Sequence, residues 1–156
     1  MRAVTADATE FRRERQIRFS DCDPAGIVFY PQYFVMFNGL VEDWIDELEV
    51  GYRRLVIERR VGLPTVHLEA DFRAVSHMGD RIVLSLAVER LGGRSITLGL
   101  RCDGTQGDTR MSMKQVLVTT SLATHQAIDI PPDLRDAIAR RSITADEASR
   151  GLKLRF

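Results

Sequence analysis

Hydrophobic and polar positions along the chain follow two different periods. Apolar residues recur every three or four positions between about Pro31 and Leu48, which predicts one long amphipathic helix with a wide apolar stripe. After Gly62 the pattern alternates with a period of two, and turn signals divide it into four predicted strands, at residues 63 to 74, 80 to 92, 94 to 103 and 111 to 122. Short turns separate the last three, so we expect an antiparallel meander.

Both ends of the chain add one element to this pattern. Alternation from Phe11 to Phe19 with a polar middle predicts a first strand near a sheet edge. A Pro131-Pro132 pair opens a short predicted helix at residues 130 to 141, and a polar tail follows at residues 142 to 156. We therefore expect a single α+β domain over residues 1 to 156, with its core at about 10 to 140. Its antiparallel sheet would wrap around one long central helix.

Composition narrows the classes of function. The chain has 156 residues, with 22 basic and 22 acidic side chains, and this balance argues against bulk affinity for nucleic acid or an anionic membrane. The two cysteines lie in unrelated surroundings and favour a reducing compartment over a disulfide framework. No apolar leader and no run of about 18 apolar residues is present. We expect a cytoplasmic protein whose partners include neither nucleic acid nor membrane.

The stretch "FSDCDPAGIVFYPQYF", residues 19 to 34, carries the candidate chemistry. Pro24 favours an extended backbone at Asp23, and Gly26 permits a positive φ. The helix that starts at the Tyr30-Pro31 step presents N–H groups without intrahelical acceptors, which favour a negative oxygen. A carboxylate beside oriented amide donors is what acyl transfer requires. The alternative is that Asp21 or Asp23 only caps a turn.

The segment "DCDPAGIVFYPQYF" resembles the active-site segment of the 4-hydroxybenzoyl-CoA thioesterase family of hotdog-fold enzymes, in which two aspartates and a glycine precede the central helix. The resemblance implies a hotdog fold and an acyl-CoA substrate, with no cofactor. It also implies that Asp23 is the catalytic carboxylate, as nucleophile or general base, and that the Tyr30 backbone N–H is the oxyanion donor. Gly26 would leave room for the thioester. In hotdog enzymes the site lies between two subunits, so a homodimer is implied, and pairing into a tetramer is left open.

Residues elsewhere are candidates for binding the substrate. The family has three basic residues before a serine at one hairpin, where this chain keeps only Arg94 and Ser95, so Arg94 is the candidate for a CoA phosphate. The alternative is a solvated arginine. His67 and Glu69 share one face of a predicted strand that in the family runs close to the substrate, or they belong to a wet sheet face. Cys22 is interpreted as a packing residue. The three histidines are scattered, so no metal site is predicted.

The sequence thus predicts a thioester hydrolase that converts an acyl- or aryl-CoA into the free acid and CoA. A hotdog hydratase is one alternative, although its chemistry needs an aspartate-histidine pair that does not stand out here. A non-catalytic acyl-CoA-binding hotdog module is the other, although a binder has little use for a carboxylate at the thioester. The acyl group, and whether CoA or an acyl-carrier protein carries it, stay open.

Overall fold

The computed structural model describes residues 10 to 141, so the predicted C-terminal tail lies outside the described residues. Most of the described chain forms strands, and the one long helix begins at Pro31, as predicted. The elements are β1 (Phe11–Gln16), a 3₁₀ turn (Phe19–Asp21), α1 (Pro31–Glu47), a π-helical turn (Arg54–Glu58), β2 (Val61–Gly62), β3 (Thr65–Phe72), β4 (Arg81–Leu91), β5 (Ser95–Gly104), β6 (Thr109–Val118), β7 (Thr120–Ser121) and α2 (132–141).

The five long strands form one antiparallel sheet in the order β1-β4-β5-β6-β3. This confirms the predicted meander of the last three strands and the edge position of the first. The buried side of α1 carries the predicted apolar stripe, with Phe37 and Ile45 fully buried, and the polar positions along its other side are exposed. Sheet and helix therefore share one hydrophobic core, as expected for an α+β domain.

The first strand is shorter than predicted. It ends at Gln16, and Phe19, which the alternation assigned to the apolar side, is 83% exposed. The chain leaves the strand because the Arg18 N–H donates to the Asp21 carboxylate at 2.8 Å, which supports the 3₁₀ turn instead. Here the backbone binds a nearby side-chain carboxylate instead of continuing the hydrogen bonds of the sheet.

The last predicted strand is two strands. Residues 111 to 118 belong to β6. Val118 pairs with Ser95, the first residue of β5, so β5 offers no further residue for pairing beyond this point. Thr119 is fully buried, and its N–H donates to the Arg94 carbonyl at 2.9 Å. The chain then pairs β7 with β2 in a separate two-stranded sheet. The alternation of side chains continues through this change of partner, so the pattern alone did not show the break.

None of the helices among residues 10 to 141 is long and apolar enough to cross a membrane.

Candidate active site

The turn that follows the 3₁₀ segment is a miniature hairpin. The Asp23 N–H donates to the Ile27 carbonyl and the Gly26 N–H to the Asp23 carbonyl, both at 3.0 Å. Gly26 has a φ of 78°, in the left-handed region. This is the three-residue hairpin loop in which a turn is followed by a left-handed residue, and Pro24 has the φ that its second position needs. The DPAG sequence therefore holds Asp23 in a defined place.

The two aspartates of the turn have different surroundings. Asp21 is buried, and its Oδ2 accepts from the Arg18 N–H at 2.8 Å and from Arg15 Nη2 at 2.7 Å. Asp23 is partly exposed, and its Oδ1 accepts from the Ala25 N–H at 2.8 Å. Its Oδ2 accepts no hydrogen bond from any residue between 10 and 141. Buried Asp21 is thus held in an ion pair that supports the turn, whereas Asp23 is accessible to a ligand through its unpaired oxygen.

The start of α1 leaves one backbone donor available. Pro31 has no N–H, the Gln32 N–H donates to the Phe29 carbonyl at 2.8 Å, and the Tyr33 N–H donates to the Tyr30 carbonyl at 3.2 Å. The Tyr30 N–H has no acceptor within the described part of the chain. An unpaired N–H at the positive end of a helix dipole favours an anionic oxygen. The donor that the resemblance implied is therefore free to bind one.

Aromatic rings border this donor. Phe72, at the end of β3, meets the rings of Tyr30, Tyr33 and Phe34 at centroid distances of 6.1 to 6.4 Å, and Phe29 meets Tyr30 at 5.6 Å. Phe72 and Tyr30 are each more than half exposed. The sequence analysis missed Phe72, because the strand pattern does not show that its end reaches the first turn of α1.

A groove of about 310 Å³ opens between β1 and α1. Asp21, Gln32 and Val35 contribute to its wall, and Gly39 leaves its middle without a side chain. It adjoins the candidate site through Asp21 and the first turn of α1. No sequence pattern had indicated it.

Cys22 packs partly against the core, and its thiol lies 3.5 Å from the Arg18 carbonyl. Burial, and then the charges of Asp21 and Asp23, raise the pKa of the Cys22 thiol above its ordinary value. A protonated thiol is a poor nucleophile. These surroundings fit the interpretation of Cys22 as a packing residue.

His67 and Glu69 come together, but not at the turn. His67 Nε2 lies 2.9 Å from Glu69 Oε1, and the hydrogen bond from His67 lowers the pKa of the Glu69 carboxyl. Both side chains are exposed, and by alternation they point to the side of β3 opposite Phe72. They therefore lie on the other face of β3 from the Phe72 ring that meets Tyr30, and their role in binding stays a prediction.

Arg94 and Ser95 lie at the other end of the sheet. The turn is joined to the start of β4 by the Ile17 N–H, which donates to the Asp80 carbonyl at 2.8 Å, whereas Arg94 follows the end of that strand. The 11 residues of β4 span about 35 Å at roughly 3.3 Å per residue. Arg94 Nε also donates to Asp129 Oδ1 at 2.9 Å in an exposed pair. The structure does not bring Arg94 and Asp23 of one chain together.

Across residues 10 to 141 there is no cluster of three or more histidine, cysteine, aspartate or glutamate side chains placed to hold a metal ion.

Comparison with known proteins identifies the family. Residues 17 to 138 match the model of the thioesterase-like superfamily. A 1,4-dihydroxy-2-naphthoyl-CoA hydrolase of Synechocystis is 32% identical over 78 residues, which cover 50% of this chain and 56% of that protein. The 4-hydroxybenzoyl-CoA thioesterase of a Pseudomonas strain is 26% identical over 134 residues, 81% of this chain and 95% of the relative. The aligned part thus spans little more than half of the Synechocystis relative.

A solved structure of a 1,4-dihydroxy-2-naphthoyl-CoA thioesterase from Synechocystis matches with a TM-score of 0.77 at 23% identity, covering 83% of this chain and 96% of that one. At this identity the likeness concerns the fold. It confirms the hotdog fold, and the matched family model confirms the resemblance that residues 21 to 31 indicated.

Proposed function

This chain belongs to the thioesterase-like superfamily, and we propose that it hydrolyses an acyl-CoA thioester to the free acid and CoA. One observation carries the proposal. Within a single short segment, Asp23 Oδ2 and the Tyr30 N–H are both unpaired among the described residues, while Asp21 beside them is buried and ion-paired with Arg15. A free carboxylate oxygen and a free helix-terminal donor are the two groups that thioester hydrolysis needs.

The mechanism assigns one task to each group. The thioester carbonyl oxygen accepts from the Tyr30 N–H, which stabilises the negative charge that develops there. Asp23 either removes a proton from water as its oxygen adds to the carbonyl carbon, or adds to that carbon itself and forms an anhydride that water then cleaves. In both routes the carbon–sulfur bond breaks, and the sulfur leaves as CoA thiolate and takes up a proton. Gly26 keeps this approach open, since a Cβ there would meet no atom of the chain within 4 Å.

An aryl acyl group fits the aromatic wall best. Flat rings gain from offset or edge-to-face contact with rings 4.5 to 7 Å away, about 0.5–1.5 kcal/mol per pair. Phe72 and Tyr30 present half-exposed rings beside the proposed oxyanion donor. The names of the relatives, a dihydroxynaphthoyl-CoA hydrolase and a hydroxybenzoyl-CoA thioesterase, support the same choice.

We further propose that the working unit is a homodimer. Among residues 10 to 141, the edge strand β3 pairs on one side only, and it is exposed over almost its whole length. Three apolar side chains are exposed on it, Val66, Leu68 and Phe72. An open apolar edge favours pairing with another chain. A second copy would cover this edge. In such an assembly, Arg94 of a second subunit is the candidate to contact the CoA bound at this turn. Pairing of two dimers into a tetramer stays the alternative. The cytoplasmic location stays a prediction.

Thiol release from a panel of aryl- and alkyl-CoA thioesters tests the proposal, with Asp23→Asn beside the wild type. We expect the wild type to release thiol and the variant to lose roughly 10²–10⁴-fold in kcat, the range for a positioned acid, base or nucleophile. Its thermal unfolding should be unchanged, because Asp23 is partly exposed and binds only Ala25. Asp136→Asn, an equal change of charge at an exposed position of α2, is the control and should keep full kcat.

Near-complete activity of Asp23→Asn would contradict the role of Asp23. Thiol release from acyl-carrier-protein thioesters but not from CoA thioesters would change the carrier. Tight binding of acyl-CoA by the wild type without turnover would instead favour the non-catalytic module.

A further inference from the structure

The two halves of the proposed site are held against one loop, residues 73 to 80, most of which the sequence pattern assigned to the turn between two predicted strands. On the side of the carboxylate turn, the Val28 N–H donates to the Ser76 carbonyl at 2.9 Å, and the Met78 N–H donates to the Gly26 carbonyl at 3.0 Å. On the side of the helix, the Tyr33 hydroxyl donates to Ser76 Oγ at 3.0 Å. The position of Asp23 relative to the Tyr30 N–H thus depends on where this loop sits.

Ser76 lies where the two sets of contacts meet. It is fully buried, and its backbone oxygen binds the turn while its hydroxyl binds the first turn of α1. Burial raises the pKa of the Tyr33 hydroxyl, which therefore stays protonated and can donate. A shift of Ser76 would disturb both the carboxylate turn and the helix start, because its carbonyl holds the turn and its hydroxyl holds the helix.

One side chain holds the loop to the sheet. Arg110, on β6, is largely buried, and its Nη1 donates to the Val75 carbonyl at 3.0 Å, to Asp80 Oδ2 at 3.0 Å and to Ser76 Oγ at 3.4 Å. Its Nε donates to Asp108 Oδ2 at 2.5 Å, which fixes the guanidinium from the other side. The Arg110 carbonyl accepts from the backbone of the same loop, at Arg73 and Ala74.

We propose that Arg110 is a positioning residue for the reaction: through the loop at 73 to 80, it sets the distance between the Asp23 carboxylate and the Tyr30 N–H. Its catalytic part rests on the function proposed above. Charge-assisted bonds from a rigid, planar guanidinium restrict geometry more than one neutral hydrogen bond does. A misplacement of about 1 Å between reacting groups can lower a rate by roughly 10²-fold.

The charges around Arg110 support this position. The His77 N–H, and then Arg110, hold the pKa of the Asp80 carboxyl below its usual range, and Arg110 does the same for the pKa of Asp108. Both carboxylates therefore stay ionised at neutral pH, and the guanidinium lies between two permanent negative charges. Since Asp80 also accepts from the loop through His77, one ion pair closes the loop and ties it to β6.

Hydrogen exchange of the free protein tests the anchoring without any substrate. In Arg110→Met we expect amides of residues 22 to 30 and 75 to 80 to exchange at least about tenfold faster, while amides in the middle of α1 keep their protection. Arg101→Met is the matched control. It removes another arginine that is paired with two acidic side chains on the same sheet, Asp103 and Glu10, and that has no contact with the loop among the described residues. In Arg101→Met, the amides of residues 22 to 30 and 75 to 80 should exchange as fast as in the wild type.

Kinetics tests the catalytic part. Arg110→Met should lower kcat roughly 10- to 100-fold and change KM less than about twofold, because the groups that bind the acyl-CoA remain. Arg110→Lys should recover much of kcat, since one ammonium can still reach Asp80 and the Val75 carbonyl, although it loses Asp108. A residue that contributes only stability would give Arg110→Met and Arg101→Met the same kcat. Should Arg110→Met not fold, Asp80→Asn, which breaks the ion pair between the loop and Arg110, carries the same comparison.

The outcomes separate the two proposals. A wild type without thioesterase activity refutes the proposed function, whereas exchange still decides the anchoring. Unchanged exchange in residues 22 to 30 of Arg110→Met overturns the anchoring. Faster exchange with an unchanged kcat overturns the positioning role alone, and equal losses of kcat in Arg110→Met and Arg101→Met do so as well.

Discussion

The two ends of the sheet were both candidate sites by sequence, yet their polar groups are used differently. At the end that carries the turn, Asp23 Oδ2 and the Tyr30 N–H have no partner among the described residues, and aromatic rings are exposed around them. At the opposite end, polar groups of the β4–β5 hairpin are paired with residues of other parts of the chain. The carbonyls of Gly92 and Gly93 accept from Arg135 at 2.6 and 3.2 Å, and Arg94 pairs with Asp129.

This difference separates groups that a ligand can use from groups that the fold has already used. A donor or acceptor inside a network loses a partner when it binds something else, and a hydrogen bond exchanged in that way gains little free energy. An unpaired group at a helix start exchanges only water for the ligand and loses no partner within the protein. Within one chain, the turn is therefore the better place for chemistry, and Arg94 must first leave Asp129 to bind a phosphate.

The largest change in stability is expected at Asp21. Asp21→Asn keeps the size of the side chain but removes the charge that binds Arg15 at 2.7 Å and the Arg18 N–H at 2.8 Å. Charge-assisted hydrogen bonds contribute about 1.5–3 kcal/mol, so we expect a loss of about 2–3 kcal/mol and a lower Tm. Urea unfolding of Asp21→Asn and Asp23→Asn side by side measures this. An Asp21→Asn protein as stable as the wild type would contradict the division of roles between the two aspartates.

A smaller effect is expected at Gly26, where the φ of 78° disfavours a side chain but a Cβ has open space. Gly26→Ala should cost about 1 kcal/mol for the left-handed backbone. Gly26→Asn should lose less stability, because asparagine tolerates this conformation. Measured together, the two variants separate the effect of the left-handed backbone from the effect of filling the space beside Gly26. If Gly26→Asn is stable but its KM rises, the thioester needs the room that glycine leaves, and if it is stable with an unchanged KM, Gly26 serves the turn alone.

The smallest change in stability is expected at Arg94, since its ion pair with Asp129 is exposed on both sides and such pairs contribute about 0–1 kcal/mol. Arg94→Met tests whether this residue binds CoA. Asp129→Asn breaks the same pair but keeps the arginine, so it is the matched control. A raised KM for acyl-CoA in Arg94→Met, with a normal or lower KM in Asp129→Asn, supports phosphate binding. Equal KM values in both variants and the wild type exclude it.

Elements with a strong local signal could be predicted from the sequence. The predicted helix begins at Pro31, where α1 begins, and ends at Leu48, one residue beyond the observed end of α1 at Glu47. The β4 to β6 meander follows from alternation and turn residues, because a strand exposed on one face shows its period. The break at Thr119 could not be predicted in this way, since the same alternation runs through β6 and into a different sheet.

By itself, the sequence determined the hotdog fold, the family and the segment that carries the proposed site, because the turn between Asp21 and Pro31 is made by residues close together in the chain. Only the tertiary structure showed that Asp21 is buried in an ion pair with Arg15 of β1, while Asp23 is partly exposed. It also decided that Arg94 lies a strand length away from Asp23 and that Arg110 supports the loop beside it. The last two relations involve residues that are distant along the chain, and only the packing of strands against one another brings them together or keeps them apart.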